Sequence, residues 1–571
     1  MLGSTMAELK ICKKREKILS TNNHLLIEGG PGSGKTTIAL LKAKQLVEDG
    51  HLEQYQKILF LSFARATISR VEEQAKSIIT KTHKKSIEIN TYHGFAWSVI
   101  KSYGYLLGKH RSYKIITPPN LSARTADLAN DEKNGFPRLL FEEEGTICFD
   151  LFAEITTSIL ERSLKIRSIF AHAYPYIIVD EFQDTNDQEW ELIKLLGEKS
   201  KIIALADLDQ RIYTFRGASV SRIPSFNDHF VPTRIDFGTE NNRSSLTDIV
   251  IFGDDLLKGI NRGKTYHNVI ITKYPYYKDT RLPLKAVLLQ SIKRIKKAGH
   301  SDWSIAVLVK SKADTLSISN YFSSMKIYHE VLIDPSGPSL SAGIIAQLLQ
   351  PCGNEEEDYK ALLISLITHL KGRKGDKVSK ADLTLAQAME KYLATGKIQG
   401  TSRTAILNEI KDLIIKRKRI LFSGIPEDDW ISIRKLFQDC KQDLLRNVYE
   451  DARFIRLLNK GAILSEKLAE MWRSGQHYDG AQKAIEDALV QEHFSMSNKL
   501  FKGVYIMNIH KSKGKEFDEV IIWEEMYKPF VRPESSEQRM EQDRLLFRVA
   551  ATRAKSLTTF LTPKSAPCIL L

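Results

Sequence analysis

The stretch Glu28-Gly29-Gly30-Pro31-Gly32-Ser33-Gly34-Lys35-Thr36-Thr37 constrains this chain more than any other. The apolar run Leu25-Leu26-Ile27 precedes it, and Ile38-Ala39-Leu40-Leu41-Lys42-Ala43 follows, so the order is strand, glycine-rich loop, helix. Gly29, Gly34, Lys35 and Thr36 satisfy the spacing G-x-x-x-x-G-K-[ST]. Glycines let backbone N–H groups close on a polyphosphate, and the helix N-terminus adds a favourable dipole. Residues Gly29, Gly30, Pro31, Gly32, Ser33, Gly34, Lys35, Thr36 and Thr37 are therefore the candidate phosphate cradle. Lys35 is expected to reach the outer phosphates, and the Thr36 hydroxyl to hold Mg²⁺.

A second element completes the same chemistry. Tyr176-Ile177-Ile178-Val179 is a fully apolar run that ends in Asp180-Glu181, as in a strand of a parallel sheet buried on both faces. Ligands gather at the carboxyl ends of such strands. Asp180 is expected to reach Mg²⁺ through water, and Glu181 to orient or deprotonate an attacking water. A third strand, Ile202 to Asp207, leads into Leu208-Asp209-Gln210-Arg211-Ile212-Tyr213-Thr214-Phe215-Arg216-Gly217. Gln210, with Tyr213 and Phe215 close behind, can join a phosphate site to a base-stacking surface.

A chain of 571 residues is too long for one ordinary core, so three or four domains are expected. With 42% hydrophobic and 27% charged residues it reads as globular rather than disordered. No apolar run is long enough to span a membrane and no signal peptide is evident, so a cytoplasmic protein is expected. The five cysteines are scattered without a C-x-x-C pair, which fits a reduced chain with neither disulfide nor structural zinc. The net charge of +15 suits a polyanion partner, although a basic surface is often merely solvated.

The rest of the chain alternates in character. Ile58 to Phe63 reads as a buried strand, followed by a helix from Ala64 to Lys76. Thr91-Tyr92-His93-Gly94-Phe95-Ala96-Trp97 mixes hydroxyls, a histidine and aromatic rings, which suits base stacking or a core-facing aromatic turn. Residues 98 to 170 read as an insertion rich in loop signals. Residues 246 to 345 alternate strands and helices as a second α/β unit, and Pro335-Ser336-Gly337-Pro338 marks a break. From 346 to 494 apolar residues recur at helical spacing. There the basic clusters Lys371-Gly372-Arg373-Lys374 and Lys416-Arg417-Lys418-Arg419 read as solvated helix ends, with a DNA-backbone contact as the alternative. The α/β pattern returns with Asn508-Ile509-His510-Lys511-Ser512-Lys513-Gly514-Lys515-Glu516-Phe517 and ends with Arg548-Val549-Ala550-Ala551-Thr552-Arg553-Ala554.

The ordered set GGPGSGKTT, LSFARAT, TYHGFA, IIVDEFQDT, ADLDQRIYTFRGA, ENNRSS, NIHKSKGKEFDEVII and LLFRVAATRA resembles the UvrD/Rep-type helicases of superfamily 1A, from residue 29 to 555. The resemblance implies an α/β fold with two RecA-like P-loop NTPase domains, parallel sheets flanked by helices, each carrying a mainly helical insertion. Core domain 1A would comprise 1–97 and 171–245, insertion 1B 98–170, core domain 2A 246–345 and 495–571, and insertion 2B 346–494. By motif match, Lys35, Asp180, Glu181, Gln210, Arg243 and Arg553 would be catalytic. Gln210 would sense the γ-phosphate, and Arg243 and Arg553 would clasp it. Thr36 and Asp180 would hold Mg²⁺, and Glu516 would contact the nucleotide sugar. Phe63, Thr91, His93, Tyr213 and Phe215 would contact single-stranded DNA, with Phe215 standing where the family usually has tryptophan.

The implied activity is ATP-dependent 3′–5′ movement on single-stranded DNA and at single-strand/duplex junctions, in repair or antiviral defence. The alternative is a DNA- and nucleotide-sensing subunit that licenses a nuclease partner, as in Gabija-type defence. Departures fall on the base side of the nucleotide. Lys14 stands where the family has an adenine-reading glutamine, Asn242 where it has a stacking tyrosine, and Thr37 where an arginine is frequent. With the phosphate side intact, other NTPs are expected to substitute for ATP.

Overall fold

The computed structural model describes residues 11–571 except 63–64, 81–82, 109, 208–220, 239, 241–246, 300–301, 334–335, 376, 453–462, 495–501 and 533–535. Its chemistry-bearing part is built on two six-stranded sheets. Strands of the first lie in the order Ile87–Thr91, Ile58–Ser62, Tyr176–Val179, Lys201–Ala206, Leu25–Glu28, Thr233–Asp236. Every pairing is parallel. A parallel sheet needs crossover helices, which cover both faces and demand near-continuous apolar strands. Leu25–Glu28 and Ile58–Ser62 meet that demand, being buried along their whole length.

Register then decides what the strand ends deliver. Glu28 lies opposite Ala206, and Val179 opposite both Leu61 and Ala204. The glycine loop after Glu28, Asp180 after Val179 and Asp207 after Ala206 therefore emerge at one edge of the sheet. Lys201–Ala206 is the strand between the other two.

The second sheet is also all parallel, in the order Glu330–Leu332, Gly503–Asn508, Ser304–Val309, Phe517–Trp523, Ala554–Pro563, Val269–Tyr274. It is assembled from two separate stretches of chain: Gly503–Asn508 inserts between Glu330–Leu332 and Ser304–Val309, although a long segment separates them in sequence. Two parallel sheets with flanking helices are the RecA-like P-loop architecture that the motifs implied.

The chain divides into two compact units. One holds Met1–Val99, Ala153–Ile333 and Met496–Leu571, and therefore both sheets; the other holds Ile100–Phe152 and Asp334–Ser495. The helices Phe152–Arg162 and Leu164–Ala173 fall almost wholly in the first unit. The second unit is mainly helical, around a core that includes Leu362, Leu366, Met389, Ile410, Trp430, Phe437 and Tyr478. The break read at Pro335 to Pro338 falls where the chain passes from the first unit, at Ile333, to the second, at Asp334, and the helix Ser336–Leu349 that follows carries Pro338 in its first turn. Proline is tolerated there because a first-turn N–H has no helical acceptor to lose.

The basic clusters of this unit are not simply solvated. Lys371 is buried and donates to Asp127 and, at 2.6 Å, to Glu390, while Gln387 donates to the other Asp127 oxygen at 2.8 Å. A Cβ on Gly372 would lie 2.3 Å from the Pro119 carbonyl, so glycine permits this close helix approach. Arg373 and Lys374 share Asp382. Arg417 is buried, donates to the Leu348 and Gln350 carbonyls, and stacks 4.3 Å from the Phe422 ring centre. It thus satisfies carbonyls at the end of Ser336–Leu349, which a helix leaves without donor partners.

Candidate active site

The glycine loop has the conformation its sequence demands. Gly34 is left-handed, at φ +88°, and starts the helix Lys35–Glu48 without any side-chain cap. The helix's first N–H groups thus lack the side-chain oxygen that usually satisfies them, which suits an anion. At Gly29 a Cβ would come within 2.9 Å of the Ser33 Oγ. The Lys35 ammonium lies across its own loop, donating to the Gly29 carbonyl at 2.6 Å and the Gly30 carbonyl at 3.0 Å. Thr36 is buried at the start of the helix.

Asp180 and Glu181 differ in posture. Asp180 continues its strand, its N–H donating to the Leu61 carbonyl at 2.9 Å, and is 4% exposed. Glu181 turns into the left-handed region at φ +52°, a conformation that costs a non-glycine residue about 1–3 kcal/mol. The turn Phe182–Asp184 that follows is anchored from below. Phe182 is fully buried, edge-on to Phe226 at 4.9 Å and to Trp190 at 5.8 Å. Packing of this kind supports a strained backbone next to the chemistry.

Gln183 fixes the carboxylate. Its Nε2 donates to a Glu181 oxygen at 2.6 Å, and its Oε1 accepts from the Asp207 N–H at 3.0 Å. One buried amide therefore ties Glu181 to the end of the neighbouring strand. Burial pushes the Glu181 carboxyl up, but Lys513, Lys35, the Gln183 amide and Arg553 outweigh it and hold Glu181 below the usual carboxylate range. The ionised form is the one a general base needs.

Lys513 and Arg553 come from the second sheet's stretches. The Lys513 ammonium pairs with Asp184 at 2.5 Å, each side chain 3% exposed. Asp184 is nevertheless pushed up to about 7, because burial and the carboxylates of Glu181 and Asp207 outweigh Lys513. Neighbouring carboxylates disfavour one another's ionisation. Arg553 is buried, with Nε donating to the Val549 carbonyl at 3.0 Å and Nη2 to Thr552 at 3.3 Å, and its charge is felt at Glu181. Glu516 is half-buried just before Phe517, whose N–H donates to the Arg553 carbonyl at 3.0 Å.

The structure therefore gathers Lys35, Glu181 and Arg553 into one electrostatic neighbourhood. Gln210, Arg243, Phe63, Tyr213 and Phe215, and the departure at Asn242, lie outside the described residues. Thr91 is buried and accepts from the Gly94 N–H at 2.8 Å, and so starts the helix Tyr92–Tyr103; His93 is exposed. Tyr92 and Phe95, in the same motif, belong to the core. Lys14 donates to the Asp236 carbonyl at 2.7 Å.

Four residues here carried no role in the sequence reading. Gln183 and Asp184 stand inside the quoted DEFQDT, and Lys513 inside the H-x-x-K-G pattern, so motif membership was their signal. Arg15 had none. It donates to the Ser33 carbonyl of the glycine loop at 3.2 Å, pairs with Glu240 at 2.6 Å and stacks 4.8 Å from the Phe237 ring centre.

The donor set fits the groups the motifs imply. Uncapped N–H groups behind a lysine suit a polyphosphate, and the hard oxygens of Thr36 and Asp180 suit Mg²⁺, which keeps waters and phosphate oxygens as its other ligands. Among the described residues no cluster of three or more His, Cys, Asp or Glu could hold a metal ion by itself. No described helix is long and apolar enough to cross a membrane.

Fold and site together define a P-loop nucleoside-triphosphatase with paired RecA-like sheets. Residues 12–149 and 138–231 match the UvrD/REP helicase N-terminal domain, and residues 355–563 match the UvrD-like helicase C-terminal domain. The chain belongs to the UvrD/Rep-type superfamily 1A helicases, an ATP-hydrolysing family. The ATP-dependent DNA helicase PcrA of Staphylococcus aureus is 21% identical over 632 residues, covering 95% of this chain and 82% of that protein. PcrA of Staphylococcus epidermidis is 22% identical over 633 residues with the same coverage. The crystal structure of the Pif1 helicase from Candida albicans aligns over 56% of each chain at 12% identity, with a TM-score of 0.27, too low to bear on the fold.

Proposed function

We propose that this protein is an ATP-dependent motor that hydrolyses nucleoside triphosphate when bound to single-stranded DNA and moves along it 3′ to 5′. The observation that carries the reading is Glu181. It is ionised, gripped by Gln183, and surrounded by Lys35 from the glycine loop and by Lys513 and Arg553 from the second sheet. A base whose charge is held by groups from both sheets responds to the approach of those sheets, which is what a coupled motor needs. The relatives' description as ATP-dependent DNA helicases supports the same substrate.

In this reading Lys35 and the loop N–H groups bind the phosphates, and Thr36 and Asp180 hold Mg²⁺, which when bound neutralises charge between the outer phosphates. Glu181 orients the attacking water and takes its proton, and Arg553 stabilises the charge that develops. Gln210 and Arg243 are assigned the sensor and second-arginine roles, and Glu516 the sugar contact. Phe63, Thr91, His93, Tyr213 and Phe215 line the strand path. Of these Thr91 is the weakest assignment, because its hydroxyl already accepts from Gly94. The residue ranges 1–97 with 171–245 and 246–345 with 495–571 are assigned as the two cores, and 98–170 and 346–494 as their insertions. Relaxed base selectivity follows from Lys14, Thr37 and Asn242.

The test is steady-state hydrolysis of ATP, GTP and dATP, with and without single-stranded DNA, beside Glu181→Gln. Strong DNA stimulation, absent in the variant, supports the motor. Similar rates on all three nucleotides support the relaxed base side, and strict ATP dependence sinks that part. Weak, DNA-independent hydrolysis overturns the motor in favour of a sensing subunit for a nuclease.

A further inference from the structure

Arg548 is among the most deeply buried large side chains in the molecule, with 2% of its side chain exposed. It comes from the helix Glu537–Ala551, which leads to Arg553. Its Nε and Nη2 both lie 2.9 Å from one oxygen of Asp254, so the guanidinium fork is oriented from the second-sheet side. Its Nη1 faces Asp207, at the end of a first-sheet strand, at 4.0 Å. That separation is too long for a hydrogen bond.

The guanidinium also reaches the glycine loop. A Cβ on Gly30 would lie 3.9 Å from Arg548 Nη2, which is van der Waals distance from the loop that precedes Lys35. Room for this arm is built in. A Cβ on Gly253 would lie 3.3 Å from Arg548 Cγ and 3.1 Å from Thr552 Cγ2, so glycine lets the helix Ile249–Lys258 close against the arginine stem. An arginine cannot shed its charge, and its planar fork matches phosphate oxygens.

We propose that Arg548 is a further arginine of the nucleotide site, reaching from the second sheet to the outermost phosphate of a bound nucleoside triphosphate, with Asp254 as its positioning carboxylate. This rests on the glycine loop being a nucleotide site, and deepens that reading. A triphosphate on the loop brings negative charge within reach of a fork already turned towards it. Arg548 then favours triphosphate over diphosphate, and release of the outer phosphate returns it to the two carboxylates.

The experiment compares the affinity of the full-length chain for a non-hydrolysable ATP analogue and for ADP, each with Mg²⁺, by calorimetry. Wild type is set beside R548Q, R548K, D254N and K35A. In R548Q the analogue is expected to bind roughly tenfold more weakly or worse, the scale of a lost charge-assisted hydrogen bond, while ADP changes by less than about twofold. R548K, which keeps charge but loses the fork, and D254N, which frees the fork, are expected to lose part of the triphosphate preference. Equal weakening of both nucleotides, or of neither, in R548Q makes Arg548 a structural bridge and overturns the proposal. If R548Q does not fold, an unchanged analogue-to-ADP ratio in both R548K and D254N overturns it equally. Loss of both nucleotides in K35A supports the underlying site. Wild type that binds neither nucleotide overturns the site reading and Arg548's role together.

Discussion

Both compact units bury cations, and they do so for different ends. In the mainly helical unit, Lys371 meets Asp127 and Glu390, and Arg417 meets two backbone carbonyls. Each positive charge is answered by fixed partners, so the pairing joins helices. In the sheet-bearing unit, Lys513 faces Asp184 within range of Glu181, Arg553 lies within the electrostatic reach of Glu181, and Arg548 faces Asp207 and the loop at Gly30. There the anions are crowded, and one carboxyl is pushed up to about 7 as a result. A buried cation in a saturated cluster is structural, while one among competing carboxylates beside a phosphate loop can exchange partners when an anion arrives.

That comparison can be broken at several points. The largest effect is expected from Glu181→Gln, which removes the base while keeping the Gln183 bond partner. Turnover should fall by roughly 10²–10⁴-fold with nucleotide affinity retained, measured by single-turnover hydrolysis beside equilibrium binding. If turnover survives, the crowded carboxylates are not the catalytic ones.

Gln183→Ala should come next. It leaves Glu181 in place but frees its rotamer and unties Asp207, and misplacement on this scale costs up to about 10²-fold in kcat. Little change in melting temperature should accompany that loss. A kcat equal to wild type would reduce Gln183 to packing.

Lys371→Met probes the saturated side. Removing the ammonium leaves two partly solvated carboxylates facing each other, so a loss of about 1–3 kcal/mol is expected in chemical denaturation. DNA-stimulated hydrolysis by the protein that remains folded should hold its kcat. A selective fall in kcat would show that the helical unit's clusters serve the reaction as well.

The last test is a pH dependence. Asp184 is pushed from an ordinary 3.8 to about 7 by burial and by its carboxylate neighbours, against the pull of Lys513. Between those values the folded chain keeps a proton that the unfolded chain gives up. Asp184 therefore lowers stability as pH rises through this window, and its contribution is flat above about 7. Asp184→Asn should flatten that component in denaturation curves taken from acid to neutral pH. An unchanged slope would mean that Asp184 titrates normally.

Much of this molecule was legible in the sequence because its signals are short-range. The loop from Gly29 to Thr36 carries its own conformation, since a left-handed turn at Gly34 and a close approach at Gly29 are local demands on glycine. The run Tyr176 to Val179 could be read as a buried strand ending in carboxylates because burial on both faces leaves no polar alternation. The helices of the second unit, Thr401–Lys418 among them, announced themselves by apolar spacing. Where the reading failed, the missing information was a neighbour. Lys371 and Arg417 look like any solvated helix end until Asp127 and the Leu348 carbonyl are brought to them.

The sequence by itself determined the class of chemistry: a phosphate cradle, a strand-end carboxylate pair and the family to which their order belongs. Tertiary structure alone decided which charges meet. Gly503–Asn508 enters the second sheet beside Glu330–Leu332 across a long intervening segment, and with the later strands and helices come Lys513, Arg548 and Arg553. The physical reason is range. Backbone conformation is set by residues a few positions apart, whereas the burial, pairing and ionisation of a side chain depend on groups that only the completed fold brings within a few ångströms.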